Sequence, residues 1–218
     1  MIQAVIFDMD GLLLDTERLA VDAWTQAAAE LRLDLPVDAV LKTIGLDWEK
    51  TKLVVEAALG VGEDYGPFYE RVQSIYRRMQ ELEVPVKPGA RELLRKLCEL
   101  GVPAGLATST ARRGAEWKLR CAGLLQYICG GACGDEVARG KPEPDIFLLA
   151  AANIGVAPEQ CAALEDSPAG IRAAKAAGMT AIMVPDLVQP SAGDRLTADF
   201  IVQDLWEAWN LLQRILQN

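Results

Sequence analysis

The sequence contains no histidine among its 218 residues. Without imidazole there is no Ser-His-Asp or Cys-His relay, no histidine general base and no zinc site of the His-containing kinds. Chemistry must run on carboxylates, hydroxyls, thiols or lysine. Positive charge is also scarce: 22 Lys and Arg against 31 Asp and Glu give a formal net charge of −9 and a pI near 4.7. Such a chain repels a phosphate backbone, which speaks against nucleic acid and membrane surfaces as partners. A small phosphorylated ligand remains open if positive groups are local. Long apolar runs are missing too. Residues 1–8 carry no basic region followed by an apolar stretch, so no secretory signal is read. The longest uncharged run, 121–134, is broken by four glycines and falls short of the roughly 18 residues of a membrane helix. The expectation is a cytoplasmic protein.

A 51% hydrophobic and 24% charged composition describes a soluble globular chain of one or two domains. The cysteines, Cys98, Cys121, Cys129, Cys133 and Cys161, are odd in number and are expected to be buried, reduced thiols. The spacing of Cys129 and Cys133 also fits a metal or redox pair, with low specificity.

Short apolar runs at 4–7, 102–107, 127–131, 162–164, 181–184 and 200–202 predict strands. Helical periodicity fills 88–100, 111–122, 144–154, 168–177 and 205–216. Strand alternating with helix implies an α/β fold with a mainly parallel sheet and helices on both faces. The stretch 16–83 breaks the alternation with helical patterns alone. Its first helix places Leu19, Ala23, Trp24, Ala27 and Leu31 at core spacing, and a later one, 68–82, carries Arg71, Arg77 and Arg78 on a solvated face. An inserted all-helical domain at 16–85 is expected, within a discontinuous core of 1–15 and 86–218. Linkers at 12–15 and 84–89 would permit hinge motion over a site on the sheet.

In an open parallel sheet, ligands bind beyond the carboxyl ends of the strands. Four such places carry compatible chemistry: Asp8-Met9-Asp10-Gly11, Thr108-Ser109-Thr110, Gly140-Lys141-Pro142 and Glu165-Asp166-Ser167. Asp8 and Asp10, two apart in an extended segment, can face the same side. Two adjacent carboxylates do not both ionise cheaply. Either one keeps a proton as general acid while the other acts as nucleophile, or a hard cation neutralises them, and both outcomes can coexist. With no histidine available, phosphoryl transfer to a carboxylate suits such a set. Thr108, the Ser109 N–H and Lys141 would then hold phosphoryl oxygens. Each motif taken alone is commonly a polar loop, a helix cap or a solvated charge; their occurrence in order, each after an apolar run or in the loop between two, is what carries the reading.

These motifs, with Asp15-Thr16-Glu17, Gly140 to Phe147 and Leu164 to Ile171, resemble the haloacid dehalogenase-like hydrolases. The closest resemblance is to the subfamily of β-phosphoglucomutase and sugar-phosphate phosphatases. It implies a Rossmann-like core with a helical cap. By this resemblance Asp8 is the nucleophile that becomes an aspartyl phosphate, and Asp10 protonates the leaving oxygen and later activates water. Thr108 and Lys141 bind the transferring group. Mg²⁺ would be held by the Asp8 carboxylate, the Asp10 carbonyl and Asp166, with Glu165 a ligand or a support for one. Asp10 points to phosphate chemistry, since the dehalogenases usually lack an acid there. Ala20 stands where the resembling mutases carry histidine, which favours a phosphatase over a mutase. Cap residues Thr16, Trp48 and Glu49 are candidates for substrate selection. The expectation is a monomeric Mg²⁺-dependent phosphatase of small phosphorylated metabolites. A phosphoglucomutase-type isomerase is the alternative, and a receiver-like module that keeps its aspartyl phosphate a more distant one.

Overall fold

The computed structural model describes residues 1–44, 48–60 and 65–216, with the backbone alone for 48–50. Six strands, β1 (Ala4–Phe7), β2 (Ala104–Thr108), β3 (Gly130–Cys133), β4 (Cys161–Glu165), β5 (Thr180–Met183) and β6 (Phe200–Ile201), form one sheet in the order β3-β2-β1-β4-β5-β6. Every pairing is parallel. The chain steps outward from β1 to β3, returns to the other side of β1 as β4, and continues outward to β6. The order therefore reverses between β1 and β4, and a crevice at their carboxyl ends is where ligands sit in such sheets.

All four residues of β1 and all five of β2 and of β4 are buried, so both faces of the central sheet are covered. On one face Ala4, Ile6, Ala107, Ala163, Ala181 and Met183 pack with Phe147 and Ala150 of α7 (Asp145–Ile154) and with Ile171 and Ala174 of α8 (Pro168–Ala176). Small alanines on the strands let these helices approach closely. Further helices of this unit are α5 (Ala90–Glu99), α6 (Arg112–Cys121), the short α9 (Ala192–Thr197) and α10 (Leu205–Leu216).

The chain divides into two compact units, Met1–Leu14 with Pro85–Asn218, and Asp15–Val84. Regular elements in the described residues of Asp15–Val84 are all helices: α1 (Thr16–Glu30), α2 (Val37–Leu41), α3 (Trp48–Leu59) and α4 (Tyr65–Leu82). Its core is aromatic, with the Trp24 ring centroid 5.6 Å from that of Phe68 and Tyr65 stacked on Tyr69 at 5.9 Å. Arg71 binds Glu30 on the outside of the α1–α4 pair. Leu31, expected in this core, lies past the end of α1 and is 47% exposed.

Two further expectations change. Residues 12–14, read as linker, are fully buried: Leu13 and Leu14 N–H groups both donate to the Met9 carbonyl, and Leu14 bridges antiparallel to Val86. The outgoing and returning segments are thus paired to each other. Of the five free thiols, Cys133 and Cys161 are buried, but Cys98, Cys121 and Cys129 are exposed. Cys98 and Cys121 fall on the outer side or end of their helices, and Cys129 precedes β3. Among the described residues, no helix is long and apolar enough to cross a membrane.

Candidate active site

Asp8 follows β1 directly and continues its ladder, its N–H donating to the Leu164 carbonyl at 3.0 Å. This pins the side chain at the switch point, between the ends of β2 and β4. Asp8, Glu165 and Asp166 are all buried, and one carboxylate oxygen from each lies within 4.8 Å of the others. Lys141, from the loop before α7, enters this cluster and binds both Asp8 Oδ1 and Glu165 Oε1. Its ammonium also donates to the Ala107 carbonyl at 2.9 Å and sits 5.3 Å from the centre of the Phe147 ring. Four elements therefore converge on one buried cation.

The electrostatics follow from crowding. Burial raises the Asp8 carboxyl; the Lys141 charge opposes this, but Glu165 and Asp10 add to it, and the result is a pKa pushed up to about 7. For Lys141, burial works against the ammonium, yet the facing Asp8 and Glu165 outweigh it and hold the group protonated beyond its ordinary range. Three carboxylates with one ammonium leave a net negative, all-oxygen donor set. That chemistry fits a hard divalent cation such as Mg²⁺.

Glu165 is fixed from both ends. Its Oε2 accepts from Ser167 Oγ at 3.0 Å while Oε1 takes Lys141. Ser167 also caps α8 by accepting from the Gly170 N–H at 3.0 Å. At Gly170 a Cβ would stand 1.9 Å from the Glu165 carboxyl, so only glycine lets the first turn of α8 pass this side chain.

Thr108, the last residue of β2, is buried, and its Oγ1 accepts from the Thr110 N–H at 3.1 Å. Ser109 beside it is exposed. The Asp10 side chain takes other partners: Thr110 Oγ1 donates to its Oδ2 and Lys118 Nζ to its Oδ1, both at 2.7 Å. Lys118 and Thr110 had no assigned role in the sequence. In the structure Lys118 lies on the buried stripe of α6 with Ala115 and Leu119. Thr16 opens α1 and is buried, and Ala20 lies on the same helix. The side chains of Trp48 and Glu49 lie outside the described residues. Cys129 and Cys133 are free thiols, and burial pushes the Cys133 thiol up to about 11.

Known proteins resemble this chain along most of its length. A family model described as haloacid dehalogenase-like hydrolase matches residues 2–178. The chain is 34% identical over 180 residues to the phosphorylated carbohydrates phosphatase of Thermotoga maritima, covering 83% of each protein. It is 33% identical over 221 residues to the beta-phosphoglucomutase of Bacillus subtilis, covering 95% of each. The crystal structure of a HAD family hydrolase from Deinococcus radiodurans R1, with bound phosphate and sodium, matches with a TM-score of 0.83 at 28% identity over 97% of this chain and 96% of that one.

Proposed function

This chain belongs to the haloacid dehalogenase-like hydrolases, and from that membership we propose that it is a Mg²⁺-dependent phosphatase of small phosphomonoesters, sugar phosphates or related metabolites, working through an aspartyl phosphate on Asp8. The observation that carries it is the buried Asp8 beside Lys141, with Glu165 and Asp166 within reach of a shared cation.

The Asp8 carboxylate, Asp166 and the Asp10 carbonyl would hold the cation, with Glu165 a ligand or a support for one, and bound there it would neutralise the carboxylates and the incoming phosphoryl charge. An Asp8 oxygen forms the bond to phosphorus as the bond to the leaving oxygen breaks, and Asp10 supplies the proton that the alkoxide needs. Asp10, now ionised, takes a proton from the water that attacks phosphorus, which releases phosphate and restores Asp8. Lys141 and Thr108 hold phosphoryl oxygens, and the Ser109 N–H adds a donor. Lys141 also offsets the charge of Asp8. The helical unit Asp15–Val84 is assigned the selection of substrate, with Thr16, Trp48 and Glu49 among the residues involved.

Likeness to a phosphoglucomutase supports a second outcome, return of the phosphoryl group to a sugar. Ala20, in place of the histidine of such mutases, weighs for water as acceptor. Incubation with β-glucose 1-phosphate and a trace of the 1,6-bisphosphate separates the two. Free phosphate, lost on adding chelator, is the expected product; glucose 6-phosphate without free phosphate would overturn the hydrolase.

A further inference from the structure

We propose that Lys118 is the positioning residue of Asp10: together with Thr110 it clamps the Asp10 carboxylate in the orientation from which Asp10 exchanges its proton with the leaving oxygen. This rests on the phosphatase reading above and deepens it.

The placement of Lys118 is unusual for its residue type. The neighbours Trp117 and Arg120 on α6 are exposed, while Lys118 is only 9% exposed and lies on the helix's packed stripe. An ammonium in such a place is costly unless it is paired. Its partner is Asp10 at 2.7 Å, the two side chains being 11% and 21% exposed. The second donor, Thr110 Oγ1, comes from the turn between β2 and α6 and takes the other carboxylate oxygen. Two donors from two places in the chain, one per oxygen, hold the Asp10 carboxylate more firmly than either would alone.

The site also divides its lysines. Lys141 serves Asp8 and Glu165, and Lys118 serves Asp10. Without Lys118, the Asp10 Oδ1 atom would lose this donor, and the carboxylate, two residues from Asp8, would compete for Lys141. Positioning of a proton donor within hydrogen-bond reach of the atom it serves decides much of the benefit of general acid catalysis. Lys118 touches Asp10 and acts through it.

A comparison of leaving groups tests this. A sugar phosphate expels a basic alkoxide that needs the Asp10 proton, whereas 2,4-dinitrophenolate leaves without one. In Lys118→Met, the ratio of kcat/KM for the sugar phosphate to that for 2,4-dinitrophenyl phosphate is expected to fall about tenfold or more. Lys118→Arg should restore most of it. In an Asp10→Asn background Lys118→Met should cause no further fall, because the pair acts as a unit. An unchanged ratio in Lys118→Met, or an equal fall for both substrates, would overturn the positioning role. Should Lys118→Met fold poorly, Thr110→Val, which removes the other donor and keeps the charge, decides on the same ratio. Asp8→Asn controls for the underlying reading: if it still turns over both substrates, the phosphatase mechanism fails, whereas a dead Asp8→Asn with an unchanged Lys118→Met ratio rejects the clamp alone.

Discussion

Asp8 holds a proton more tightly than an ordinary aspartate, with burial as the main cause and Lys141 as a partial offset. The consequence for stability has a definite sign. Below the ordinary value of 3.8 the folded and unfolded chains both carry this proton, and no penalty arises. Between 3.8 and about 7 the unfolded chain releases it while the folded site keeps it, so the stability associated with this group is lost as pH rises through that window. In metal-free buffer at pH 8, Asp8→Asn should therefore melt higher than the wild type, by about a few degrees, and the gain should shrink toward pH 4. A lower melting temperature for the variant at pH 8 would contradict this. The inactive variant being the more stable one is the pattern of a site built for function. At this scale the carboxylates were legible in the sequence because each ends or follows an apolar run, and Lys141 because its loop lies between two such runs. Lys118 was not, because a lysine in an amphipathic helix reads as a solvated charge, and only the approach of α6 to the end of β1 shows otherwise.

Elements place these residues through close backbone approach. The first turn of α8 passes so near Glu165 that a methyl group on Gly170 would overlap its carboxyl. Alanine is the better helix former by roughly 1 kcal/mol, so an open site would be stabilised by Gly170→Ala. Here the variant should lose Glu165 from its contact with Lys141, with a lower melting temperature and phosphatase turnover reduced about tenfold or more. Full activity with a raised melting temperature would show that the approach is not needed. Strand and helix positions were readable from apolar runs and helical periodicity, with β1 and α10 matching end to end. The apolar run at 127–131 begins ahead of its strand: 125–127 closes as a 3₁₀ turn, and β3 starts at Gly130. Gly131, at φ 145°, is needed because a Cβ there would meet the Leu106 carbonyl oxygen at 2.2 Å. The short α9 was missed although its signal was present, a capping box in which Ser191 and Asp194 bond reciprocally.

At the scale of the molecule, the charge of −9 resolves into a local arrangement. Asp8, Glu165 and Asp166 gather at the switch point around Lys141, and Asp10 is held beside them by Lys118 and Thr110. The parallel sheet was legible because strands and helices alternate, and the helical stretch because that alternation stops. The pairing of the two connecting segments at Leu14 and Val86 was not, since Leu12, Leu13 and Leu14 carry no pattern that separates a linker from a buried turn. What unites the architecture with the chemistry is the assignment of Asp8 as the atom that receives the phosphoryl group. Rapid acid quenching after mixing enzyme, Mg²⁺ and a sugar phosphate labelled on phosphorus tests it most directly. Label bound to the protein should rise and decay within a turnover, map to the peptide containing Asp8 and be absent in Asp8→Asn. Phosphate release with no protein-bound label, or label on a different residue, would contradict the assignment.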